Sequence, residues 1–163
     1  MSRRGWCVLM GAVLAAALGC ERSATPGSEV KVRAEEPGGL DGLSSLRGER
    51  WRSRPVLVFA GTGHDGLRDA QLRLLDAASD GVRERDIVVY VVDADGVTRG
   101  GETLAGDSDG LRSRYGIAAD GWAVVLIGKD GGEKLRVTEG ALETELLFAV
   151  IDAMPMRRAE MRD

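Results

Sequence analysis

Gly61, Gly63 and Gly66 fall in the order G-x-G-x-x-G, directly after the apolar run 56–60 and at the start of a helical pattern. In that setting glycines let the backbone turn tightly and approach a pyrophosphate, which the first helical turn would receive. Asp93, at the end of the next apolar run, is the acid that would hold a ribose hydroxyl. Two features weigh against this chemistry. Asp93 lies well beyond the roughly twenty residues that separate glycines from acid in such units. The Asp130-Gly131 pair between two later apolar runs is the strongest hairpin signal in the chain, and it makes those strands antiparallel where a dinucleotide fold continues in parallel. A dinucleotide site at Gly61, Gly63 and Gly66 is therefore the least favoured alternative, and no cofactor is expected.

His64, the one histidine of the chain, sits inside the same loop with Asp65 beside it, and Asp120 lies in a loop expected to approach. A general base, or a weak metal site, is the chemistry these groups could do. An exposed turn histidine is the plainer explanation; no serine is poised beside it and no metal is expected. Cysteine bounds the chemistry more firmly. Only Cys7 and Cys20 exist, so residues 21–163 hold no thiol, no disulfide, no C-x-x-C pair and no zinc ribbon. Contact with a partner is expected from Gly63, His64 and Trp122, and from Met154 and Met156, which flank Pro155 and offer adaptable apolar surface. Closing the core is the more ordinary duty of those methionines.

Arg3 and Arg4 precede an uncharged stretch at 8–18, the pattern of an export signal too short to span a bilayer. Ala17-Leu18-Gly19-Cys20 resembles the lipobox of bacterial lipoproteins, which implies cleavage before Cys20 and its lipidation. Residues 1–19 are thus read as a signal peptide, 20–39 as a flexible tether broken by Pro26, Pro37 and Gly38-Gly39, and 40–163 as one domain. The expected location is the periplasmic face of the outer membrane, with a soluble periplasmic or secreted product as the alternative. Removing residues 1–19 takes away two arginines and no acid, leaving 20 basic against 26 acidic residues. Such a balance disfavours nucleic acid as a partner. Arg50, Arg52 and Arg54, and Arg157, Arg158 and Arg162, read as solvated faces.

The elements that position these residues follow from hydrophobic period. Leu40, Leu43 and Leu46 suggest a turn or two of helix, and Trp51 a packing anchor. The runs 56–60 and 87–92 are strands buried on both faces, and the amphipathic segment between them is a helix capped by Asp65 and ended by Gly81. Glycine, aspartate and threonine make 93–109 a long mobile loop. A short helix follows, with Ser108 or Asp109 as cap and Gly116 as terminator. The hairpin then joins strands 122–127 and 133–137, and a last helix covers about 142–153 before Pro155 and a charged tail.

Over 51–154 this order is similar to the thioredoxin-like arrangement: three α/β/α layers around a four-stranded mixed sheet. Gly61 to Gly66 stand where a thioredoxin has its cysteine pair, and Asp120-Gly121-Trp122 where it has a cis-proline. Thiol exchange is therefore not expected. The stretches "RPVLVFA" with Gln71, "ERDIVV", "LIGKDGGEKLR" and "IDAMPMRRAEM" resemble the bacterial domain of unknown function 4174. That resemblance implies fold and export and carries over no catalytic residue. The resulting expectation is an exported, lipid-anchored, redox-inactive thioredoxin-like domain that binds an envelope protein or small ligand. An enzyme using His64 and nearby carboxylates is the alternative.

Overall fold

A computed structural model of the chain describes residues 44–162. The signal peptide, Cys20, the tether and Leu40 to Leu43 lie outside the described residues. Strand β1 (Arg54–Ala60) is buried along its whole length, as an uninterrupted apolar run at a sheet centre should be. It pairs in parallel with β2 (Ile87–Asp93) and antiparallel with β5 (Trp122–Ile127), which forms the expected hairpin with β6 (Glu133–Val137). Gly131 takes a left-handed φ of 89° in that turn, a conformation that favours glycine.

The sheet has six strands, not four. Within 93–109 the chain forms β3 (Gly96–Arg99) and β4 (Glu102–Leu104), extending the order to β4-β3-β2-β1-β5-β6. Gly100 and Gly101, with φ of 59° and 83°, make the two-residue turn between them. These strands escaped the periodicity because only Val97 is buried in them.

Alternation along β1 sends Val56, Val58 and Ala60 to one apolar layer and Leu57 and Phe59 to the other. The first layer packs under α2 (Asp65–Ala77), α3 (Ser79–Glu84) and α5 (Thr144–Asp152), through Leu75, Val82, Leu147 and Ile151. The second packs under α1 (Ser44–Glu49) and α4 (Ser108–Tyr115), through Leu46, Leu111 and Tyr115. The result is three layers with helices on both faces. Each fully buried aliphatic side chain contributes about 1.5–3 kcal/mol to holding them together.

Three local expectations need correction. Gly81 does not end the helix: α2 stops at Ala77 and α3 runs through Gly81, where a Cβ would lie 2.6 Å from the Phe148 ring. Glycine here serves close packing rather than termination. The cap of α4 is Asp107, whose carboxylate accepts from Gly110 N at 2.9 Å. Trp51 is no packing anchor; its side chain is 59% exposed, while its backbone N–H donates to Lys129 O at 2.7 Å. Beyond α5, the short helix α6 (Pro155–Glu160) takes Pro155 into its first turn, where a missing N–H costs nothing.

Candidate functional site

The parallel β1 and β2 give the sheet two distinct ends, and candidate residues gather at both. At the carboxyl end of β1, Gly61 donates its N–H to Gly121 O at 3.0 Å. The Asp120 backbone presses on it so closely that a Cβ on Gly61 would lie 2.2 Å from the Asp120 carbonyl carbon. The loops 61–66 and 118–121 therefore meet, as expected, with backbone against backbone at Gly61 and Asp120. Gly63 is exposed with φ 86°, and Gly66 lies inside α2 with nothing near its missing side chain.

His64 stacks on Trp122, ring centroids 6.1 Å apart and planes 21° from parallel. Its Nδ1 is buried and lacks a hydrogen-bond partner. Asp65 pairs instead with Arg68 at 3.0 Å, and Arg68 reaches Asp93 at 3.8 Å. Asp120 is exposed. Trp122 is buried and donates Nε1–H to Gly140 O at 2.7 Å, so it supports this loop from below rather than offering contact surface. No group of three or more His, Cys, Asp or Glu side chains is placed to hold a metal ion among the described residues.

Behind the same loop lies Arg112, 5% exposed. Its guanidinium donates to four carbonyls: Ala60 O and Val92 O at the ends of β1 and β2, and Ala118 O and Gly121 O in the facing loop, at 2.8–3.4 Å. It fixes the spacing of the strand ends and the 118–121 loop. Nothing in the sequence separates Arg112 from Arg114, its solvated neighbour on α4.

The opposite end of the sheet carries a groove of about 480 Å³ between the β5–β6 turn and the α5–α6 elbow. Val150, Met154 and Met156 supply its apolar wall, and Arg54, Lys129 and Lys134 face them. Gly128 also lines the groove, and a side chain there would meet Asp130 Oδ1 at 2.5 Å and Lys134 Cε at 2.7 Å. Met154 is half-buried against the core, while Met156 is 39% exposed. The sequence thus identified the two methionines, and the structure brings them to one wall.

Ion pairs surround the groove. Arg54, 1% exposed, donates to both Glu160 oxygens at 3.0 and 3.1 Å and to Arg85 O at 2.8 Å. Lys129 bridges Glu160 and Asp86 at 2.7 and 2.8 Å. Burial opposes the Glu160 carboxylate, yet hydrogen bonds from Lys129 and Arg54 overcome it and hold its pKa below the ordinary value. Asp130 follows the same pattern: burial disfavours its charge, but Lys134, 2.8 Å away, and the Gly132 amide keep its pKa low. Arg157 is also buried, against Asp152 at 3.3 Å and Glu84. The expectation that both arginine clusters are solvated is therefore wrong for Arg54 and Arg157; charge type alone does not reveal which members of a run turn inward.

The family described as Domain of unknown function (DUF4174) matches residues 45–160. The chain belongs to that family. The match runs from α1 through α6, so the DUF4174 domain includes both ends of the sheet. Among solved structures, the chain is similar to reduced 2-Cys peroxiredoxin of Plasmodium vivax, with a TM-score of 0.53 and 16% sequence identity over 71% of this chain and 84% of that one. At that identity the likeness establishes the thioredoxin-like fold alone. No curated protein matches the chain in sequence.

Proposed function

We propose that this DUF4174 domain is an exported, lipid-anchored binding module of the cell envelope that carries out no thiol–disulfide exchange. The observation that carries the binding reading is one of placement. Trp51, Met156 and Met161 are the large apolar side chains left exposed among the described residues. All three belong to the same end of the sheet: Met156 lines the groove, Trp51 is bonded through its backbone to the groove residue Lys129, and Met161 follows Glu160, the partner of Arg54. Apolar side chains gathered around a concave, charged site are the usual mark of a contact surface.

The structural relative is named a 2-Cys peroxiredoxin, but both cysteines of this chain, Cys7 and Cys20, precede the folded domain. Export and anchoring rest on the charged, apolar and Ala-Leu-Gly-Cys segments that end at Cys20. Photo-crosslinking from position 156 in intact cells tests the binding role. A reproducible envelope partner, captured at 156 and not from a distant surface position such as 109, is the expected outcome; no reproducible product ends the proposal. A mature N-terminus other than a lipid-modified Cys20 ends the anchoring part.

A second reading, an enzyme built on His64, draws on its unpartnered Nδ1 and its stacking on Trp122. A His64→Ala protein that retains the cellular role of the parent removes it.

A further inference from the structure

The groove beside Met154 and Met156 has a chemistry of its own. Its volume, about 480 Å³, falls within the range of small-molecule sites, and such sites pair apolar walls with a few fixed polar groups. Here the apolar wall is built from Val150, Ala153, Met154, Pro155 and Met156, on one continuous helix elbow. Methionines suit an occupant of variable shape because their unbranched side chains repack at little cost.

The lining of the facing wall is cationic, although each of its cations already has a carboxylate partner. Three cations, Arg54, Lys129 and Lys134, line the groove against one carboxylate, Asp130. Asp86 and Glu160 hold Lys129 and Arg54 but do not line it. Arg54, almost wholly buried, has a further peculiarity: its Nε is buried with no acceptor. Buried donors are nearly always paired, so an open one on this wall calls for an explanation. Only His64 Nδ1, at the other end of the sheet, shares this state among the described side chains.

Resting on the binding-module reading, we propose that this groove takes one amphiphilic molecule, an aliphatic chain ending in a single carboxylate. The chain lies along Met154, Met156 and Val150, and the carboxylate sits at the cationic wall, next to Lys134 and Lys129. Asp130 is the internal competitor for that position, since it already holds Lys134.

The test uses decanoate as probe, below its aggregation concentration, on the full chain, followed by calorimetry and by amide chemical shifts. Decanoate is expected to bind and to move resonances at 128–134 and 150–156. Lys134→Gln should weaken it about tenfold, the loss of one charge-assisted contact, and Asp130→Asn, which keeps an acceptor for Gly132 N, should tighten it. Ala153→Trp places a large ring at the exposed mouth and should abolish binding without lowering the melting temperature. Equal affinity for decanol or decylamine, binding indifferent to Ala153→Trp, or the absence of shifts at the groove overturns the proposal. If decanoate fails while crosslinking at 156 still captures a partner, the occupant is wrong and the binding module stands. If decanoate binds and no partner is captured, the site holds a small ligand and the protein–protein role is lost.

Discussion

Gln71 and Leu142 exchange two hydrogen bonds: the buried amide Nε2 donates to Leu142 O at 3.1 Å, and Leu142 N–H donates to Oε1 at 2.6 Å. One polar side chain on α2 thus completes the backbone pairing of Leu142, in the segment between β6 and α5. Gln71→Leu keeps the bulk and leaves both backbone groups buried and unpaired. A loss of about 2–4 kcal/mol in chemical denaturation is expected, from one unsatisfied donor and one acceptor. Gln71→Glu should lie near the parent at acid pH, where the protonated carboxyl still donates to Leu142 O and accepts from Leu142 N, and lose stability as pH rises, because an ionised carboxylate would be buried against that carbonyl.

The three glycines at the end of β1 separate by duty. Gly61→Ala would drive a methyl into the Asp120 backbone, which no rotamer change relieves, so it should destabilise by about 1–3 kcal/mol or more and shift 118–121 resonances. Gly63→Ala meets no atom and suffers only its positive φ, about 1 kcal/mol. Gly66→Ala, in open space within α2, should stabilise by about 0.5–1 kcal/mol. A dinucleotide cradle would show a different pattern, with melting temperature raised by cofactor in the parent and the rise lost in the variants.

What was legible in the sequence divides along physical lines. An uninterrupted apolar run identified β1, because a strand covered on both faces has no polar alternation to dilute its signal; the run 87–92, read the same way, leaves Val88 and Val89 only partly buried in β2. The hairpin turned at Gly100-Gly101 reads in the sequence as part of a loop, because β3 and β4 bury too little side chain to show a period. Arg54, Arg112 and Arg157 were illegible for another reason. Whether a guanidinium is solvated or clamps backbone carbonyls depends on which oxygens the tertiary fold delivers to it, and no local pattern encodes that. Met154 and Met156 stand out in the sequence as neighbours of Pro155; the cationic wall opposite them does not, since it comes from β1, the β5–β6 turn and β6.

A polar lock ties α1 to the sheet and predicts alkaline behaviour. Glu49 accepts from Tyr90 Oη at 2.9 Å, from Arg99 at 3.0 Å and from Ser53 Oγ. Burial, then the hydrogen bond to Glu49, pushes the Tyr90 phenol up to about 12. A folded value above the unfolded one means that the contribution to stability is complete below about pH 10 and is lost as pH rises through the folded value. Near-ultraviolet absorbance should show Tyr90 ionising late in an alkaline titration, and Glu49→Gln should bring that step to lower pH.

The helix α6 should respond at the acid end, ahead of the core. No residue of 155–160 belongs to either apolar layer; the helix is held through Arg157 and Glu160, and its anchor point through Asp152. Arg85, which donates to Asp152 at 2.7 and 3.0 Å, holds that carboxyl below its ordinary value, and Glu160 is held low despite its burial. Folded values below the unfolded ones give stability that is present above the ordinary carboxylate range and lost as pH falls through the folded values. Amide resonances of 155–160 should therefore hold their positions from neutral pH down to about pH 4 and broaden or shift below it, while those of β1 remain. Glu160→Gln should loosen the helix already at neutral pH and cost about 3 kcal/mol or more, because the amide keeps one acceptor but removes the counter-charge of the buried Arg54, leaving only the distant Asp86. If α6 and β1 instead lost their resonances together in acid, the helix would be part of the cooperative core and not a segment fastened to it by charge.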